Sequence, residues 1–161
     1  MDILTLGAGA IAGYVVANQK PSQNFNKKGA SILVLACIDP RFADNLAWFL
    51  IHESKLKDDY DLLCLAGASL GVVQTDYPSW KQTFTDHVEL AVKLHAIEEI
   101  WCVDHLDCGM YKTHYDADLD NSPDIHISTM NELKAMLSHD FPALGFKGFI
   151  MDKVGIVKQH L

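Results

Sequence analysis

The chain alternates two kinds of hydrophobic pattern. Continuous apolar runs of strand length occur at "SILVLAC" (31–37), "YDLLCLAG" (60–67), "EIWCVDH" (99–105) and "FKGFIMD" (146–152). Uninterrupted runs of this kind predict strands buried on both faces. Between them, apolar residues recur at steps of three and four. Leu46, Phe49, Leu50 and Ile51 mark one helix, and Trp80, Phe84, Val88, Ala91 and His95 mark a second, with Pro78 as a stop before it and Ser79 as its cap. "STMNELKAMLSH" (128–139) predicts a third. The connections are too long for hairpins, so the order of elements predicts an α/β fold with a mostly parallel central sheet flanked by helices. In such sheets ligands bind beyond the carboxyl ends of the strands.

Two segments stand apart from this alternation. Residues 1–28 hold an apolar stretch, Ile3–Ala17, followed by the polar "NQKPSQNFNKKGA". The stretch is short for a membrane span, and Asp2 stands where a signal peptide carries basic residues. It is read as an N-terminal helix or arm with a linker, packed on the body or on a second subunit. Residues 29–161 then form a single α/β domain. The loop "DADLDNSPDI" (116–125) places carboxylates like the start of a calcium loop. It lacks the central glycine and has Ile127 in place of the closing glutamate, so a solvated loop is the better reading.

Charge and cysteine content narrow the chemistry. A net charge of −8 over 161 residues excludes nucleic acid as the main partner, because phosphate binding needs clustered Lys and Arg. The four cysteines, Cys37, Cys64, Cys102 and Cys108, are read as reduced thiols of a cytoplasmic protein, since three lie in or beside strand-like runs. Two strand ends concentrate reactive side chains: Cys37-Ile38-Asp39-Pro40-Arg41 after the first strand, and His105-Leu106-Asp107-Cys108-Gly109 after the third. If the strands are parallel, both ends emerge at one sheet edge. Cys37, His105 and Cys108 then make a soft three-ligand zinc site with the fourth position open, the arrangement of catalytic rather than structural zinc.

Cys-x-Asp-x-Arg followed by His-x-x-Cys-Gly resembles the zinc site of the beta-class carbonic anhydrases, and "HLDCGM" is close to the "HTDCGM" of some small members. The similarity runs in order from Ser31 to "FKGFIMDKVGIVK". It implies a beta-carbonic-anhydrase-like fold and a bound Zn2+ on Cys37, His105 and Cys108. It also implies Asp39 and Arg41 as a catalytic dyad, and hydration of carbon dioxide to bicarbonate by a zinc-bound hydroxide. Asp39 would accept the hydrogen bond of the hydroxide, and Arg41 would hold the carboxylate ionised and in place. In an inactive arrangement known in the family, the aspartate becomes the fourth ligand. The resemblance further implies a homodimer or higher homo-oligomer, with Leu46–Ile51 and the N-terminal segment as candidate contacts.

The chain departs from the family in two places. Cys64-Leu65-Ala66-Gly67 replaces a common Arg-Asn-Ala-Gly, and Asp104 precedes His105 where many members have a small residue. These changes bear on substrate and rate more than on metal binding. A related linear substrate, carbonyl sulfide or carbon disulfide, suits the same chemistry, and a non-catalytic zinc protein would keep the same ligands. "GASLG" (67–71) also matches the nucleophile elbow of serine hydrolases, with Ser69 as nucleophile. With no helix expected to follow directly, a tight glycine turn is the alternative. "GAGAIAG" has the wrong spacing for a dinucleotide loop. His52, His87 and His114 are possible proton carriers that no spacing selects.

Overall fold

The computed structural model describes residues 29–116 and 122–161. The proposed N-terminal arm and residues 117–121 of the acidic loop lie outside the described residues, and Pro123, Asp124 and Ile125, expected in that loop, are helical. Five strands, β1 (Ile32–Ala36), β2 (Tyr60–Cys64), β3 (Glu99–His105), β4 (Gly145–Met151) and β5 (Val157–Gln159), form one sheet in the order β2-β1-β3-β4-β5. The first four are parallel, and β5 returns antiparallel to β4. The expected α/β architecture is therefore present, with β1 and β3 at its centre.

Five helices connect and cover the strands: α1 (Ala43–Trp48), which runs on into a π-turn Phe49–Glu53, α2 (Ser69–Val73), α3 (Pro78–His95), α4 (Gly109–Tyr115) and α5 (Pro123–Asp140). Alternation along β1 sends Leu33 and Leu35 to one face and Ile32, Val34 and Ala36 to the other, and all five are buried. On the first face they meet Phe84, Val88 and Ala91 of α3 and Met130, Leu133 and Leu137 of α5. On the second they meet Leu46, Phe49 and Leu50, with Trp101 and Phe149.

Several expectations need correction. β2 is an edge strand, not a buried one: Leu62 and Cys64 are exposed, because no described strand pairs along its outer side. Leu46, Phe49 and Leu50 lie in the core of this chain, so they are not available as subunit contacts. Pro78 occupies the first turn of α3 instead of preceding it, where its missing N–H costs nothing, and Ser79 does not cap it. α5 begins at Pro123, five residues before the apolar periodicity becomes visible. A short helix, α2, does follow the glycine turn directly.

Candidate metal centre

The parallel pairing of β1 with β3 aligns Ala36 with Val103, so the residues just beyond each strand meet at the carboxyl edge of the sheet. Cys37 follows β1, His105 ends β3, and Cys108 immediately precedes α4. One ligand atom from each of the three lies within 4.8 Å of the others, and the two sulfurs are 3.8 Å apart. Among the described residues no other group of His, Cys, Asp and Glu is arranged in this way.

Each ligand is oriented by a partner. The His105 ring is 3% exposed, and its Nδ1 lies 3.0 Å from Asp107 Oδ1. A carboxylate only accepts, so Nδ1 carries a hydrogen, which leaves Nε2 as the ring nitrogen able to bind a metal when the ring is neutral. That Nε2 is buried and has no hydrogen-bond partner. Phe42 packs on the ring at 4.6 Å between centroids. Cys37 Sγ accepts the Gly67 N–H at 3.4 Å. Its hydrogen bond with Cys108 brings its pKa down to about 4, with His105 and Gly67 adding to the effect against burial. Cys108 is pushed far up by the same contact and by burial. The two sulfurs therefore share one proton between them. Burial opposes a charge on His105, but Cys37 and Asp107 together outweigh it and raise its pKa.

Beside this trio, Asp39 caps the 3-10 turn Pro40–Phe42 by accepting the Arg41 N–H at 3.0 Å. The Arg41 guanidinium donates to both Asp39 oxygens, with Nη2 at 2.6 Å from Oδ2, and holds the carboxyl down to about 2. Its Nη1 donates to Asp107 Oδ2 at 2.7 Å. A continuous path therefore runs from Asp39 through Arg41 and Asp107 to the ring of His105. Asp39 Oδ2 stands 3.9 Å from His105 Nε2, engaged with Arg41 and outside the mutual 4.8 Å group. An open cleft faces the two sulfurs and is lined by Ile38, Asp39, Pro40, Ala66, Gly109 and Met110.

The structure thus brings together the five residues singled out from the sequence. The donor set suits a soft divalent cation: an ionised sulfur, a second sulfur with a removable proton, and a buried imidazole nitrogen lacking a partner. Cys64 and Cys102 do not join it; Cys102 is fully buried and its thiol donates to Asp104 Oδ1 at 3.7 Å. Of the histidines, His52 stacks on Trp48, His87 Nδ1 donates to the Thr83 carbonyl, and His114 contacts Asp76, all away from the trio. Ser69 is fully buried and its Oγ donates to Asp104 Oδ2 at 2.6 Å, so it has neither the access nor the base of a nucleophile. Asp107 was not singled out from the sequence. The two-residue offset of Asp107 from His105 was its available signal, since metal-binding imidazoles commonly donate their second N–H to a carboxylate.

No family model matches the chain. An uncharacterized protein of Rickettsia bellii is 31% identical over 134 residues, covering 81% of this chain and 81% of that protein. The uncharacterized protein RC0076 of Rickettsia conorii is also 31% identical over 134 residues, covering 81% of this chain and 72% of its own. Among solved structures, the carbonic anhydrase from Streptococcus mutans matches with a TM-score of 0.54 at 20% identity, covering 94% of this chain and 93% of that one. The carbonic anhydrase from Glaciozyma antarctica matches with a TM-score of 0.52 at 17% identity over 99% of both chains.

Proposed function

This chain belongs to one family with the uncharacterized Rickettsia proteins, and from its site we propose that it is a zinc-dependent carbonic anhydrase of the beta type, hydrating carbon dioxide reversibly to bicarbonate. The observation that carries the reading is the buried, unpartnered His105 Nε2 facing two sulfurs, all within 4.8 Å. The shared fold with solved carbonic anhydrases supports it.

Cys37, His105 and Cys108 would hold the zinc, which supplies a Lewis acid able to bring the pKa of water to ~7. Asp39, ionised throughout the working range, accepts a hydrogen bond from the attacking oxygen and sets the direction of its lone pair. Arg41 Nε and Nη2 hold that carboxylate, which favours the catalytic orientation of Asp39 over a place as fourth ligand. Asp107 keeps the His105 lone pair aimed inward. Ile38, Ala66 and Met110 give the cleft apolar walls suited to a small linear substrate without charge. These walls also favour carbonyl sulfide or carbon disulfide as a second reading.

The reading includes a homodimer or higher homo-oligomer; the exposed β2 edge with Leu62, beside Leu90 and Leu94 of α3, supports it. The four free thiols suit the cytoplasm, and no described helix is long and apolar enough to cross a membrane.

Metal analysis with stopped-flow carbon dioxide hydration tests the proposal. Stoichiometric zinc, hydration above the buffer rate, and loss of about 10²-fold in Asp39→Ala are expected. Bound zinc without hydration at any pH to about 9 would leave a non-catalytic zinc protein. Sulfide release from carbonyl sulfide in place of hydration would select the second reading.

A further inference from the structure

Behind the candidate centre lies a second polar cluster that the proposed chemistry does not use. Asp104, the residue before His105, is 1% exposed, yet it lies among four side chains from different elements. Its Oδ1 accepts the Ser69 N–H at 3.1 Å and the Cys102 thiol. Its Oδ2 accepts from Ser69 Oγ at 2.6 Å, Tyr111 OH at 2.7 Å and His126 Nδ1 at 3.2 Å. Ser69, Tyr111 and His126 are themselves buried. A carboxylate is an expensive group to place there unless its acceptor capacity is filled, and here it is.

The partners of Asp104 are the segments that set the ligands. Ser69 ends the turn whose Gly67 N–H reaches Cys37 Sγ. Between them Ala68 holds φ 42° and ψ −102°, a conformation that a residue with a Cβ keeps only when its surroundings enforce it. The Ser69 N–H bond to Asp104 closes that turn from its far side. Tyr111 lies in the first turn of α4, three residues past Cys108, and His126 anchors α5 to the same oxygen. The carboxylate sits one residue from His105 on β3, so it is a common fixed point for the surroundings of all three ligands.

We propose that Asp104 is a positioning residue of the metal centre: through Ser69 it locks the strained 67–69 turn that orients Cys37, and through Tyr111 it fixes the segment bearing Cys108. This rests on the zinc reading above. The same contact explains two features of the sequence that the mechanism leaves unused, the acidic residue before His105 and the serine of "GASLG".

The test measures zinc affinity by competition with a chromophoric chelator, the cobalt(II) absorption spectrum, and the melting of the metal-free chain, for the unaltered protein, Asp104→Asn, Ser69→Ala and the double variant. Expected are zinc binding weakened 10- to 100-fold, a weaker sulfur-to-cobalt band, and a double variant no worse than the more affected single one. Should Asp104→Asn not fold, Tyr111→Phe decides beside Ser69→Ala, since it removes the bond from Asp104 to the segment bearing Cys108 and leaves the carboxylate in place. Lower melting with zinc affinity within threefold of the parent and an unchanged cobalt spectrum would overturn the proposal, showing a purely structural role. Failure of the unaltered protein to bind zinc overturns the zinc reading itself and this inference with it.

Discussion

Replacing Asp107 separates the two contacts that link the candidate dyad to His105. Its Oδ1 serves the His105 ring, 3% exposed, and its Oδ2 serves the Arg41 guanidinium, whose side chain is 55% exposed. An ion pair that open to water contributes little, because solvent screens it. The bond to the buried ring, with a charged acceptor, contributes about 1.5–3 kcal/mol. In Asp107→Asn the amide oxygen keeps the ring bond while the amide nitrogen meets Arg41 donor to donor, so the loss is about 1 kcal/mol, or about fivefold in zinc affinity. Asp107→Ala frees the ring to turn, and binding must then restore its orientation, a loss of about 10- to 150-fold. The assay is competition with a zinc chelator at neutral pH, beside melting of the metal-free proteins to register folding. Zinc affinity in Asp107→Ala within threefold of the parent would refute the reasoning, as would Asn being the more damaging change.

Three further outcomes follow from the same geometry. Gly67→Ala places a Cβ at φ +78°, 2.8 Å from Met110 Cγ; a stability loss of about 1–2 kcal/mol by urea unfolding is expected. For Glu99, hydrogen bonds from Lys147 and Trp101 lower the pKa against burial. A depressed carboxyl stabilises the fold above its unfolded pKa and loses that contribution as pH falls through the folded one. Glu99→Gln should therefore cost less than about 1 kcal/mol at pH 7, given the exposure of the pair, and the difference should vanish below about pH 4 in parallel melts. Ser69, buried against Asp104, should resist labelling by a fluorophosphonate under conditions that label an ordinary serine hydrolase; stoichiometric labelling at Ser69 would restore the hydrolase reading.

What the sequence discloses depends on whether a feature is local. β3 is legible to its residue limits because "EIWCVDH" is a buried run closed by polar residues on both sides. β2 carries a similar run, but which strand lies at the edge is decided by sheet order, which no local pattern records. α4 is seven residues with few apolar positions, and β5 is three residues, both below the length at which periodicity accumulates. Cys37, His105 and Cys108 stand out because soft ligands at strand ends are uncommon and parallel pairing brings such ends together. Ser69, Asp104, Tyr111 and His126 come from four elements, and nothing in their spacing links them before the chain is folded.

The charges around the trio explain why a divalent cation suits the site better than a proton alone. Their surroundings hold Cys37, Asp39 and Asp107 below their ordinary pKa values, and Arg41, in contact with both carboxylates, is the permanent cation of this network. Arg41 makes no described contact with either sulfur, so negative charge on Cys37 is supported by Cys108, His105 and the Gly67 N–H. A divalent ion that displaces the Cys108 proton adds two positive charges for the one removed. It also gives both sulfurs and the His105 lone pair a partner at once. With such an ion bound, the site would keep a small net negative charge. Attraction for a divalent cation thus follows from one placement of Arg41, close to the carboxylates and away from the sulfurs.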